Sequence, residues 1–174
     1  MRTDAIDRRH ALSLIAAAAA AGAWPGRAAA MTLAEARALI QVMLADLTGL
    51  INSGRSAEQL FPDFERLFNR YGDVPTIAQS ALGPPARSAS RAQMQAFTQA
   101  FSGYLARKYG RRFREFIGGR IEVTGGGPVR SFFEVVSMVT MRGEPPFEVR
   151  WHVSDRSGRQ LFFNMIIEGV NMLA

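Results

Sequence analysis

Few side chains in this chain could do chemistry. The sequence holds two histidines and no cysteine in 174 residues, and His152 alone lies outside the first thirty. One imidazole with no thiol cannot supply a structural zinc site, and no acidic loop has calcium-binding spacing. No Gly-x-Ser-x-Gly elbow and no glycine-rich loop closed by Lys-Ser/Thr is present. Gly125-Gly126-Gly127 lacks the strand-to-helix setting of a phosphate cradle and reads as a flexible hairpin connection. Tyr104, Glu134 and Glu168 are the groups available for acid-base work in an apolar pocket. Glu168, beside Gly169, is expected to bond at a strand end, and His152 is expected in solvent on the face opposite Trp151. No catalytic residue is assigned, and no cofactor or metal is implied.

The densest charged run is Arg107, Lys108, Arg111, Arg112 and Arg114. It falls near a predicted helix C-terminus, where the helix dipole favours cations, so it reads first as a solvated face. It is also the place where transient contact with anionic headgroups or an acidic partner would fall. Overall, 21 basic groups face 15 acidic ones. Taking away the four Arg and two Asp of residues 1–30 leaves 17 against 13, a surplus of four. So small and dispersed a surplus makes no case for nucleic acid.

Bulky apolar groups are more informative. Phe61, Phe64, Phe68, Phe97, Phe101 and Tyr104 recur at helical spacing, and Phe133, Val135, Trp151, Phe163 and Met165 fall on predicted strands. An aromatic-rich core accounts for them as well as a ligand pocket does.

The elements that position these residues follow from local signals. Thr32-Leu33-Ala34-Glu35, Ser56-Ala57-Glu58-Gln59 and Ser90-Arg91-Ala92-Gln93 are capping boxes opening three helices. Gly54 closes the first and Gly72 the second. Pro75 suits a first turn, so Thr76 to Leu82 is predicted as a short helix ended by Gly83-Pro84-Pro85. The helix opened at Ser90 is predicted to run to about Ile117, through Phe113 and Phe116. Ile121 to Thr124, Phe132 to Met141, Phe147 to Ser154 and Leu161 to Ile167 then alternate as strands. In the last, alternation puts Leu161, Phe163, Met165 and Ile167 on one face and Phe162, Asn164, Ile166 and Glu168 on the other. Helices first and strands last predict an α+β fold, with helices packed on a curved, mainly antiparallel sheet of about four strands.

Residues 1–30 read as an export signal: Arg8-Arg9, an apolar stretch from Ala11 to Ala23, a Trp24-Pro25-Gly26 break and an Ala28-Ala29-Ala30 cleavage site. Both the general secretory and the twin-arginine routes fit. Residues 31–174 then form a single domain.

The segment Asn164-Met165-Ile166-Ile167-Glu168-Gly169-Val170-Asn171-Met172, with Trp151 to Val153 and the turn at Gly158, resembles the C-terminal signature of the MlaC (toluene-tolerance) family. Phe163 and Asn164 stand where the family pattern has Tyr and Asp, and Asn171 where it has Ser, while Glu168-Gly169-Val170 is intact. The resemblance is clearest from Leu60-Phe61 onward and implies a further short segment beyond Ala174. It implies a periplasmic phospholipid carrier, not an enzyme, that shuttles lipid between outer and inner membranes. The implied partners are phospholipid, an inner-membrane ABC lipid transporter and an outer-membrane lipoprotein complex. It implies that acyl chains lie in an apolar cavity between helices and sheet, and the bulky apolar residues above, Val135 and Met165 included, are the expected lining. At ~0.8 kcal/mol per CH₂, two chains of about 15 methylenes represent ~24 kcal/mol of hydrophobic exposure, which a surface groove cannot offset. Two other readings stay open: a hopanoid or other polycyclic lipid as cargo, or a small enzyme of ketosteroid-isomerase-like fold using Tyr104, Glu134 or Glu168.

Overall fold

A computed structural model describes residues 31–111 and 115–172. The export-signal reading of residues 1–30 and the placement of Arg112, Phe113 and Arg114 lie outside them. Met31–Ala174 forms one compact unit.

Among the described residues four helices precede the sheet: α1 (Leu33–Ile51), α2 (Ala57–Tyr71), α3 (Val74–Leu82) and α4 (Arg91–Gly110), with a 3₁₀ turn at Pro84–Arg87. All three capping boxes form. Thr32 Oγ1 accepts from Glu35 N–H at 3.2 Å while Glu35 Oε2 accepts from Thr32 N–H at 2.7 Å, and Ser56/Gln59 and Ser90/Gln93 repeat the exchange. Each satisfies two N–H groups that the first turn leaves without helical partners. Asp73 caps α3, with Pro75 in its first turn.

Helix α4 stops at Gly110, short of the predicted Ile117. A Cβ at Gly110 would lie 2.8 Å from Phe61 Cδ1 and 3.2 Å from Phe64 Cδ2, so α2 and α4 cross there at a distance only glycine allows. Glycine also weakens helix continuation. Phe116 instead sits in a separate turn, its carbonyl accepting from Gly119 N–H at 2.9 Å.

The sheet has five antiparallel strands in sequential order: β1 (Arg120–Val129), β2 (Phe132–Thr140), β3 (Phe147–Ser154), β4 (Leu161–Ile167) and β5 (Val170–Asn171). The α+β class, the curved sheet and the helices-then-strands order are as expected; the fifth strand adds two residues beyond the four anticipated. Gly125-Gly126-Gly127 is no hairpin loop. It lies within β1, paired with Val136, Val135 and Glu134 after a bulge at Thr124. Gly126 has φ of +140° and a Cβ there would sit 2.4 Å from the Glu134 carbonyl oxygen, so glycine permits the pairing rather than breaking it.

Helix α1 lies across β1, β2 and β3, α2 packs on α1, and α4 packs on α2 and α3. Asp73 N–H donates to the Phe162 carbonyl at 2.7 Å, fastening the start of α3 to β4. Between the layers sits the core, which includes Ile40, Leu47, Phe64, Ile77, Val135 and Val153.

Candidate functional site

Strand register defines the sheet face turned toward the helices. Three rows run across β2, β3 and β4: Phe133, Val153, Phe162; Val135, Trp151, Met165; Ser137, Val149, Ile167. Val139 opposite Phe147 begins a fourth. In the middle, Val135, Ser137 and Val153 are fully buried. Toward β4 and the row ends the cover thins, and Phe133, Phe147, Met165 and Ile167 are half-buried while still packed on the core. From the helical side Phe68 and Phe101 are likewise half-buried against it. These six half-buried apolar groups mark where the interlayer cover is thinner, with Phe133 toward one end of the inner face and Phe147 toward the other, and they are the candidate site.

The residues singled out from sequence divide accordingly. Phe61 and Phe64 fill the α2/α4 crossing at Gly110. Phe68 meets Phe162 edge-on at 5.8 Å between ring centroids, and Phe97 stacks on Phe101 at 5.8 Å. Val135 and Trp151 are buried core, Trp151 held edge-on by Phe162 at 5.6 Å. Phe133 and Met165 lie on the inner face at its thin margin.

Two placements differ from expectation. Tyr104 is 51% exposed, with Lys108 Nζ 5.6 Å from its ring centre, so the stripe through Phe97 and Phe101 does not extend to it. Phe163 lies on the outer face. A bulge in β4 pairs His152 with Asn164 but Val153 with Phe162, which inserts one residue and reverses the alternation at that point. Phe162, assigned from sequence to the other face, therefore enters the core. The unbroken run Leu161-Phe162-Phe163 is the sequence signal that such a strand cannot alternate cleanly.

The acid-base candidates are not brought together. Tyr104 is on the helical surface and Glu134 on the outer sheet face. Glu168 has φ of +49° and Gly169 +81°, forming the two-residue turn between Ile167 and Val170. The intact Glu168-Gly169 pair of the signature is thus turn chemistry. His152 is on the outer face as expected but not free in solvent: its side chain is 14% exposed, between Glu134 and Asn164. No cluster of three His, Cys, Asp or Glu suited to a metal exists among the described residues.

Two clefts lie apart from these six side chains. One of about 870 Å³ lies between α2, α3 and α4, with Asn69, Gln79, Arg91, Met94, Gln95 and Thr98 among the residues on its walls. The other, about 420 Å³, lies between α1 and β1 beside Leu44 and Ile121. Among the described residues no helix is long and apolar enough to cross a membrane.

Helices laid on one face of an open antiparallel sheet, with apolar groups half covered between the layers, define a layered α+β protein. The solved structure of a phospholipid-binding protein from Ralstonia solanacearum, in complex with a phospholipid, shares the fold at a TM-score of 0.67 and 18% identity, over 79% of this chain and 80% of that one. Residues 39–174 match the family model for MlaC protein, and the chain belongs to the MlaC family.

Proposed function

We propose that this protein is a phospholipid carrier and not an enzyme. The acyl chains lie between the helical layer and the inner face of the sheet, entering at the margin formed by Phe68, Phe101, Phe133, Phe147, Met165 and Ile167. The observation that carries this reading is the gradient of burial along the inner face, from Val135 at the centre to half-buried Met165 and Ile167 on β4. Family membership and the fold shared with a phospholipid-binding protein support it. Core side chains pack the middle of the interlayer space, so two chains enter only as helices and sheet separate. Transfer from bilayer to such a site is nearly neutral in hydrophobic terms, and direction is then set by the complexes at either end. We place the protein in the periplasm after export, passing lipid between an outer-membrane lipoprotein complex and an inner-membrane ABC transporter. Exposed Arg107, Lys108 and Arg111 suit brief contact with anionic surfaces.

Native mass spectrometry of detergent-free protein, followed by lipid extraction, tests the reading. One bound phospholipid mass is expected, lost in Met165→Glu and kept in Tyr104→Glu. Protein that stays empty after incubation with phospholipid vesicles would overturn it, and a polycyclic lipid in the extract would change the cargo.

A further inference from the structure

A hydrogen-bonded row crosses the outer face of the sheet. Glu134 on β2, His152 on β3 and Asn164 on β4 are cross-strand neighbours. Asn164 Nδ2 lies 3.4 Å from His152 Nδ1, and Glu134 Oε2 lies 3.3 Å from His152 Nε2. The far end of the Asn164 amide is also engaged, because its Oδ1 accepts the backbone N–H of Met165 at 2.9 Å. An amide nitrogen only donates, so Nδ1 must be the accepting nitrogen of the ring, and Nε2 carries the hydrogen toward Glu134.

The groups facing this imidazole are few. From β2 come the Glu134 carboxylate and the Phe132 ring, the latter 4.6 Å away between centroids. Strand β3 supplies Arg150, whose Nη1 is 3.5 Å from Glu134 Oε1 and whose Nε donates to Glu148 at 2.5 Å. Strand β4 supplies Asn164 and the Phe163 ring at 5.8 Å. Strand β1 places Gly127, with no side chain, opposite Glu134.

We propose that protonation of His152 frees the Met165 N–H from the Asn164 side chain within β4, so that local order there and the hold on lipid weaken as pH falls; this rests on the carrier reading. A proton on Nδ1 turns an acceptor into a second donor facing Asn164 Nδ2. Relief requires the amide to turn and offer Oδ1 to the ring, which takes Oδ1 from Met165 N–H. Glu134 pairs with the imidazolium meanwhile. Met165 belongs to the thin inner margin and lies two residues past the Phe162–Phe163 bulge, so the charge of an outer-face ring governs backbone order on the lipid side. Histidine changes charge between about pH 5 and 8, within reach of ordinary conditions.

Amide hydrogen exchange on the lipid-free protein is the direct test, read as protection factors so that the pH dependence of intrinsic exchange cancels. Met165 is expected to lose protection by about fivefold between roughly pH 7.5 and 5.5, the scale of one net hydrogen bond. His152→Gln should remove the dependence. Asn164→Asp should remove it too, since a carboxylate accepts from Met165 N–H and the charged ring together. Release of bound phospholipid to acceptor vesicles should quicken by a similar factor in the parent protein only. Constant protection in the parent, or an equal fall in Asn164→Asp, would sink the proposal. Lipid bound but released at one rate at both pH values would overturn the proposal while leaving the carrier reading intact. Loss of protection at Met165 with falling pH in a protein that never binds phospholipid would instead overturn the carrier reading.

Discussion

Trp151 Nε1 donates to Ser137 Oγ at 2.9 Å, and Ser137 in turn donates to the Val149 carbonyl at 3.2 Å, all within the sealed interior of β2 and β3. A buried indole N–H needs such a partner. Ser137→Ala should cost about 1–3 kcal/mol, because the indole donor is left unpaired away from water. Urea denaturation followed by circular dichroism would measure it, and an unchanged midpoint would mean the pair does not hold the core.

Gly126 and Gly127 are neighbours with opposite tolerance. Gly126→Ala meets the Glu134 carbonyl at 2.4 Å in a left-handed backbone conformation, whereas a Cβ at Gly127 has nothing within 4 Å. Expected losses are about 2 kcal/mol or more for the first and under about 1 kcal/mol for the second. Equal melting temperatures for the two variants would contradict the strand path of β1.

Phe162 and Phe163 separate the two faces of β4. Phe162→Ala should cost about 3–5 kcal/mol, as for a core phenylalanine. Phe163→Ala, half-buried against Phe132, should cost clearly less. The order of urea midpoints reports the register, and its reversal would remove the bulge.

Asp63 is held below the usual carboxylate range, chiefly by its hydrogen bond from Arg66, with Arg55 at 2.6 Å adding to the effect against partial burial. A depressed folded-state pKa means the stabilisation is present above the unfolded value and is lost as pH falls through the folded one. Asp63→Asn should therefore melt below the parent near pH 7, with the gap closing as pH falls below the ordinary carboxylate range. A gap that persists in acid would assign the effect to packing.

How far the sequence reached depends on the range of the interaction. Thr32, Ser56 and Ser90 were legible as helix starts because a capping box closes over three residues. Trp151 and Val153 were legible because unbroken alternation fixes a face. Gly126 was misread because its role lies in the Glu134 carbonyl of the next strand, which nothing local reveals. Phe163 was misplaced for a similar reason, since a bulge is a property of the β3–β4 pair. Gly110, the last residue of α4, is fixed by a contact with Phe61, 49 positions upstream. Tyr104, three residues past Phe101, has the right spacing for the apolar stripe but points away from the packed face that carries Ser102, Leu105, Ala106 and Gly110.

The sheet is open, and an open sheet can template polymers along its free margins. One margin here is β1, bulged at Thr124, glycine-rich in its second half and carrying Pro128, which has no N–H to offer. The other is β4, covered by the two-residue β5 at Ile166 and Ile167 and by the start of α3 at Phe162, where the Asp73 N–H donates to its carbonyl. Neither presents a long flat run of free donors and acceptors, so the open sheet offers little template for zipping onto copies of itself.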